Sequence, residues 1–137
     1  MKTPPMLRLL SIPGLVSALL WAGTVHADED AMSARQAVGK RVYETWCVAC
    51  HGPGTGYYGR GLTGTEALEA KYEGKVPPVL DQRTDLTPEF VSVFVRHGAS
   101  VMPFFRRTEI SDDDLAALGA YLSRRNPALP PTVGARH

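Results

Sequence analysis

The chain has 137 residues, with 15 Lys+Arg against 14 Asp+Glu for a formal net charge of +1, and only two cysteines. That length makes one main domain, and so even a balance of charge excludes a dedicated nucleic-acid surface, which is strongly basic. A closed zinc centre needs four ligands and usually a second Cys/His pair, which this sequence lacks.

Residues 1–27 read as a secretory signal peptide. Lys2 and Arg8 give a positive start, Leu9 to Leu20 is largely apolar around Pro13-Gly14, and Val25-His26-Ala27 resembles a cleavage site. The apolar run is shorter than the roughly 20 residues of a membrane helix. No stable membrane insertion is therefore expected after cleavage near Ala27, and an uncleaved anchor is the other reading. Cleavage would leave residues 28–137, with 13 basic against 14 acidic side chains.

Asp28 to Ser33 is an acidic leader in which Ser33 can cap a helix starting near Ala34. Val38, Val42 and Trp46 fall on one stripe of that helix, with Gly39 and Tyr43 beside it. Gly39 is either a tolerated glycine or a notch where a second helix crosses closely. The helix runs into Cys47-Val48-Ala49-Cys50-His51, and a glycine-rich stretch from Gly52 to Gly61 follows. No strand precedes those glycines and no Lys-Ser/Thr closes them, so they are not a phosphate loop. Glu66 to Tyr72 is a short helix with Thr65 before it and Gly74 at its end.

Val76-Pro77-Pro78-Val79-Leu80 is held extended by its prolines. Thr87-Pro88-Glu89 then opens a helix with a hydroxyl cap, a first-turn proline and an acid. Phe90, Val91, Phe94 and Val95 make its expected buried side, and Gly98 stops it. Ala99 to Thr108 is irregular and carries Met102-Pro103-Phe104-Phe105. Ser111 or Asp112 caps a last amphipathic helix bearing Leu115, Leu118, Tyr121 and Leu122. Residues 28–126 form the domain, and 127–137 a flexible Pro-bearing tail. With no strand pattern the expected class is all-α.

Both cysteines lie in C-x-x-C-H, the spacing for c-type haem attachment. Each thiol can form a thioether to one vinyl group of a single porphyrin, and the adjoining imidazole can ligate the iron. A thioredoxin-like C-x-x-C needs a βαβ context and has no use for the histidine. A porphyrin would also supply apolar surface to a core that about 110 residues build only modestly. The glycine-rich loop would wrap one edge of it, with Tyr57 and Tyr58 either covering that edge or exposed.

Met102 is the candidate sixth ligand, since a thioether favours the ferrous state and raises the reduction potential. Met1 and Met6 leave with the signal peptide, and Met32 precedes the motif. A core methionine is the other reading of Met102, and His97 at a helix end is the other ligand candidate. A carbonyl from Pro77-Pro78 would accept from the second ring nitrogen of His51. Arg83 would pair with a propionate or stand solvated. Leu80, Phe90, Phe94 and Phe105 would wall the porphyrin.

Gly39, Tyr43, Cys47, Cys50, His51, Pro78, Met102, Leu118 and Tyr121-Leu122 together resemble the pattern of class I c-type cytochromes. That resemblance implies three to five helices wrapped around one covalently bound haem c, held by Cys47 and Cys50 and ligated by His51 and Met102. It also implies that Pro78 is the acceptor for His51, and that the terminal helices cross at Gly39.

The run Pro78 to Arg83, Leu86 to Gly98 and Met102-Pro103-Phe104-Phe105 is similar to the cytochrome subunits of flavocytochrome alkylphenol hydroxylases, of the p-cresol methylhydroxylase and eugenol hydroxylase type. This implies a periplasmic electron-transfer subunit rather than an enzyme in its own right. An FAD-dependent dehydrogenase or hydroxylase subunit would be the donor, and a diffusible redox protein the acceptor. The alternatives are a free carrier serving another dehydrogenase or a terminal oxidase, and a haem catalyst or gas sensor with an open sixth position. Ala49, Val101, Phe104 and Phe105 are the expected docking face.

Overall fold

The computed structural model describes residues 34–56 and 59–129. The expected signal peptide, Met32, Ser33, Tyr57, Tyr58 and the expected tail from residue 130 lie outside the described residues. Among the described residues, five α-helices and one 3-10 turn make up the regular structure and no strand forms. The helices are α1 (residues 34–46), α2 (Val48–His51), α3 (Thr63–Tyr72), α4 (Pro88–His97) and α5 (Asp112–Leu122). The 3-10 turn spans Leu80–Gln82. The all-α expectation holds.

The last helix is the centre of the molecule. Leu115, Ala117, Leu118, Gly119, Ala120, Tyr121 and Leu122 are all buried, so α5 is enclosed on more sides than a surface helix with one apolar stripe. It is packed from two directions. On one side α1 meets it backbone to backbone, because a Cβ on Gly39 would lie 2.0 Å from the Ala117 carbonyl oxygen. On the other, a Cβ on Gly119 would lie 3.0 Å from the Pro88 Cβ at the start of α4. Gly39 is therefore a notch. Tyr43 and Tyr121 close the crossing, with ring centroids 5.9 Å apart.

This crossing also corrects the face of α1. Gly39, Val42, Tyr43 and Cys47 are buried, whereas Trp46 is 43% exposed and lies edge-on to Phe105 at 5.8 Å. Close approach at Gly39 rotates the helix so that the Gly39–Tyr43 side, not the Trp46 side, faces α5.

The caps formed as their residues dictate. Thr87 Oγ1 accepts from the Phe90 N–H at 3.1 Å with Pro88 in the first turn. Ser111, rather than Asp112, caps α5 by accepting from the Asp114 N–H at 3.0 Å. Replacing Thr87 by alanine should cost about 1 kcal/mol in a denaturant titration. A cost near zero would mean that α4 is held by packing alone.

Along α4, Val91 and Val95 are buried, Phe94 is half-buried, and Phe90 is 40% exposed instead of buried. The β-branched pair takes the deepest positions of the face. Phe90 and Phe94, one turn apart, stack on each other at the margin with centroids 4.8 Å apart.

The first turn of α3 begins earlier than its sequence indicates, at Thr63, with Leu62 as an N-cap that makes no side-chain bond. It ends at Glu73 (φ 52°) and Gly74 (φ 75°), both left-handed. Asn126 closes the described domain by donating to the Leu86 carbonyl at 2.8 Å, and a turn from Asn126 to Leu129 follows.

Candidate haem-binding site

The motif sits where α1 turns into α2. The Cys47 N–H still bonds to the Tyr43 carbonyl at 2.9 Å, and the Cys47 carbonyl then takes the Cys50 and His51 N–H groups at 3.1 and 2.9 Å. The two cysteines are free, Cys47 buried and Cys50 exposed. Burial, with the neighbouring Cys50, pushes the Cys47 thiol up to about 11. Among the described residues no group of three His, Cys, Asp or Glu side chains gathers to hold a metal ion.

His51 is half-buried, and burial pulls its pKa below the ordinary imidazole value. Its Nδ1 is buried without a hydrogen-bond partner. The expected bond to a Pro77 or Pro78 carbonyl is therefore not made. The early start of α3 sets Gly64 against the ring, where a Cβ would lie 2.6 Å from Cε1 and 2.7 Å from Nδ1. With Nδ1 sealed on that side, Nε2 is the ring's remaining donor.

Sequence reasoning missed both Gly64 and Thr65, whose hydroxyl donates to the Gly52 carbonyl at 2.9 Å rather than capping a helix. A glycine near a helix start reads as loop, and no spacing signal marks a contact thirteen residues back.

Met102 is half-buried in a stiff loop. Ala99 and Met102 exchange N–H to carbonyl bonds at 3.1 and 2.9 Å, and Ser100 between them is left-handed at φ 53°. Gly98, at φ 68°, stops α4 with no room for a side chain, since a Cβ would lie 2.6 Å from the Met102 carbonyl oxygen. The Phe105 N–H returns to the Val95 carbonyl at 2.8 Å. Arg96 binds the carbonyls of Phe105 and Ile110 at 3.1 and 2.9 Å and the Asp112 carboxylate at 2.8 Å, fastening the loop to both helices. His97 Nδ1–H donates to the Val93 carbonyl at 2.9 Å on the exposed end of α4.

Arg83 is buried rather than solvated. Its Nε and Nη2 hold Asp85 at 2.8 and 2.5 Å, and its guanidinium lies 4.6 Å from the Tyr72 ring centroid. Those two donors are committed to Asp85, and it is the Tyr72 contact that ties the end of α3 to Arg83 beside the 3-10 turn. Leu80 and Phe105 pack partly buried against the core, and Pro78 is half-buried in the extended lead into the turn. Val101 and Phe104 are 78% and 61% exposed.

Behind the motif, Asp81 pairs with Arg124, whose guanidinium lies 3.9 Å from the Tyr121 ring centroid. Burial raises the Asp81 carboxyl, but hydrogen bonds with Arg124 and Tyr121 and the charges of Arg124 and Arg125 outweigh it, so its pKa falls below 3.8. The stability this depression confers is full above the unfolded carboxyl's pKa and fades as pH falls through the lower, folded one. Asp81→Asn should therefore lower the Tm at about pH 6 and close most of the gap at about pH 2.5. A gap that is the same at both values would show that the carboxylate charge contributes nothing.

These residues fit a c-type haem. Two unbonded thiols sit three positions apart across the α1–α2 junction, next to an imidazole whose inner nitrogen is buried against Gly64. The five-helix fold with this motif at the α1–α2 junction defines a class I c-type cytochrome. Residues 34–122 match the family model described as cytochrome c oxidase, cbb3-type, subunit III, and the chain belongs to that family. No curated protein and no solved structure matches the chain. The family gives the domain a haem-binding, electron-transfer role. Among the described residues, no helix is long and apolar enough to cross a membrane.

Proposed function

We propose that this chain is an exported one-haem electron carrier, its haem c stitched to Cys47 and Cys50 and ligated by His51 and Met102. The observation that carries this reading is the helical C-x-x-C-H with both thiols free and Nδ1 of His51 buried against Gly64. When bound, the haem supplies a one-electron couple. His51 and Met102 would hold the iron and leave no open position to oxygen or peroxide, and Leu80, Phe94 and Phe105 would line the group. Exposed Val101 and Phe104 offer an apolar docking patch.

The donor we infer is a separate FAD-dependent para-alkylphenol dehydrogenase or hydroxylase subunit in the periplasm, with a diffusible redox protein as acceptor. The similarity over Pro78–Arg83 and Met102–Phe105 supports it. A second reading is favoured by the family's own description: a carrier delivering electrons to a terminal oxidase.

Gel filtration with a co-expressed flavoprotein separates the two. The first reading predicts stable co-elution and reduction of the cytochrome when phenolic substrate is added. Elution as a free monomer, reoxidised by membranes containing a terminal oxidase, would replace it with the second. Rapid carbon monoxide binding to the reduced protein would overturn both in favour of an open sixth position.

A further inference from the structure

The last carbonyls of a helix lack intrahelical partners. At the end of α2 three consecutive ones are taken up by side-chain hydroxyls from two other helices. Tyr43 of α1 donates to the His51 carbonyl at 3.1 Å. Thr65 of α3 donates to the Gly52 carbonyl at 2.9 Å, and also reaches the Cys50 carbonyl at 3.4 Å. Both hydroxyls thus act on the residue that carries the imidazole and on its two neighbours. In the same turn of α3, Gly64 lies against Cε1 and Nδ1 of that imidazole, with 2.8 Å from its Cβ position to the Cys50 carbonyl oxygen.

No residue of α3 is buried in the core, so hydrophobic packing does not explain why the helix lies here. Its ends are fastened by other means, Thr65 to the motif and Tyr72 against Arg83.

We propose that Tyr43, Gly64 and Thr65 are positioning residues for His51. The two hydroxyls fix the backbone at residues 50–52, and Gly64, set against Cε1 and Nδ1, limits the rotation of the ring. Helix α3 is then a buttress on the histidine side of the haem. A second-sphere contact of this kind sets ligand orientation and tunes the metal. The inference rests on haem attachment at Cys47 and Cys50 and deepens it.

The test is proton NMR of the ferric holoprotein, in which the orientation of the axial imidazole sets the pattern of paramagnetically shifted haem methyl resonances. Thr65→Val and Tyr43→Phe remove one donor each with little change of shape. Both should redistribute the methyl shifts, and Thr65→Ser should restore the wild-type pattern. Gly64→Ala should give the largest change. Should that variant not fold, the Val and Ser substitutions at Thr65 decide the matter. A fall in melting temperature with an unchanged methyl pattern in Thr65→Val and Tyr43→Phe would overturn the proposal and leave haem attachment standing. A wild-type protein without haem would overturn both.

Discussion

Replacing Gly39 with alanine is expected to cost more than about 3 kcal/mol of folding stability, above the usual range for an overpacked site. The added methyl would sit 2.0 Å from the Ala117 carbonyl oxygen, 2.5 Å from its carbon and 2.8 Å from the Tyr121 Cβ. Two of those three atoms are backbone, so no rotamer change relieves the clash. The helices must part, and the Tyr43–Tyr121 contact opens with them. A domain of this size has about 5–15 kcal/mol in total, so the variant should unfold at much lower denaturant or accumulate poorly. Tyr43 also holds the His51 carbonyl, and the damage should therefore extend to haem retention. Guanidinium titration followed by far-UV circular dichroism measures the loss. A change within about 0.5 kcal/mol, as at an ordinary surface site, would show that the helices do not cross here.

Met102→Ala is expected to lower the reduction potential by on the order of 0.1–0.3 V, part of the roughly 0.8 V that axial ligands command. It should also admit carbon monoxide or imidazole to the vacated position. The loop itself should survive. Its shape is held by the paired Ala99–Met102 backbone bonds, by Gly98 and by the Arg96 anchors, none of which uses the thioether. Spectroelectrochemistry and ligand titration read both effects. An unchanged potential with no new ligand binding would remove Met102 from the site and return His97 to consideration.

The parts of this fold legible in the sequence are those whose chemistry is local. Thr87-Pro88 and Ser111 announce helix starts because a hydroxyl and a proline act within three residues of themselves. The haem motif is legible for the same reason, and Gly39 because a helix spends a glycine in its interior seldom without cause. What was not legible depends on contacts distant in the chain. Trp46 fits an apolar stripe by spacing, and only the α1–α5 crossing turns it outward. Arg83 reads as a surface or propionate arginine until Asp85 and Tyr72 are folded around it. The contact of Gly64 with the His51 ring comes from a helix whose first turn carries a glycine and has no side-chain cap, so no local signal marks it.

The most direct measurement is the intact mass and absorption of the protein exported from a host that matures c-type cytochromes. One haem added per chain, retained after acid denaturation and halted by Cys47→Ala with Cys50→Ala, is the predicted result. A colourless chain with the mass of the bare polypeptide and two titratable thiols would contradict it.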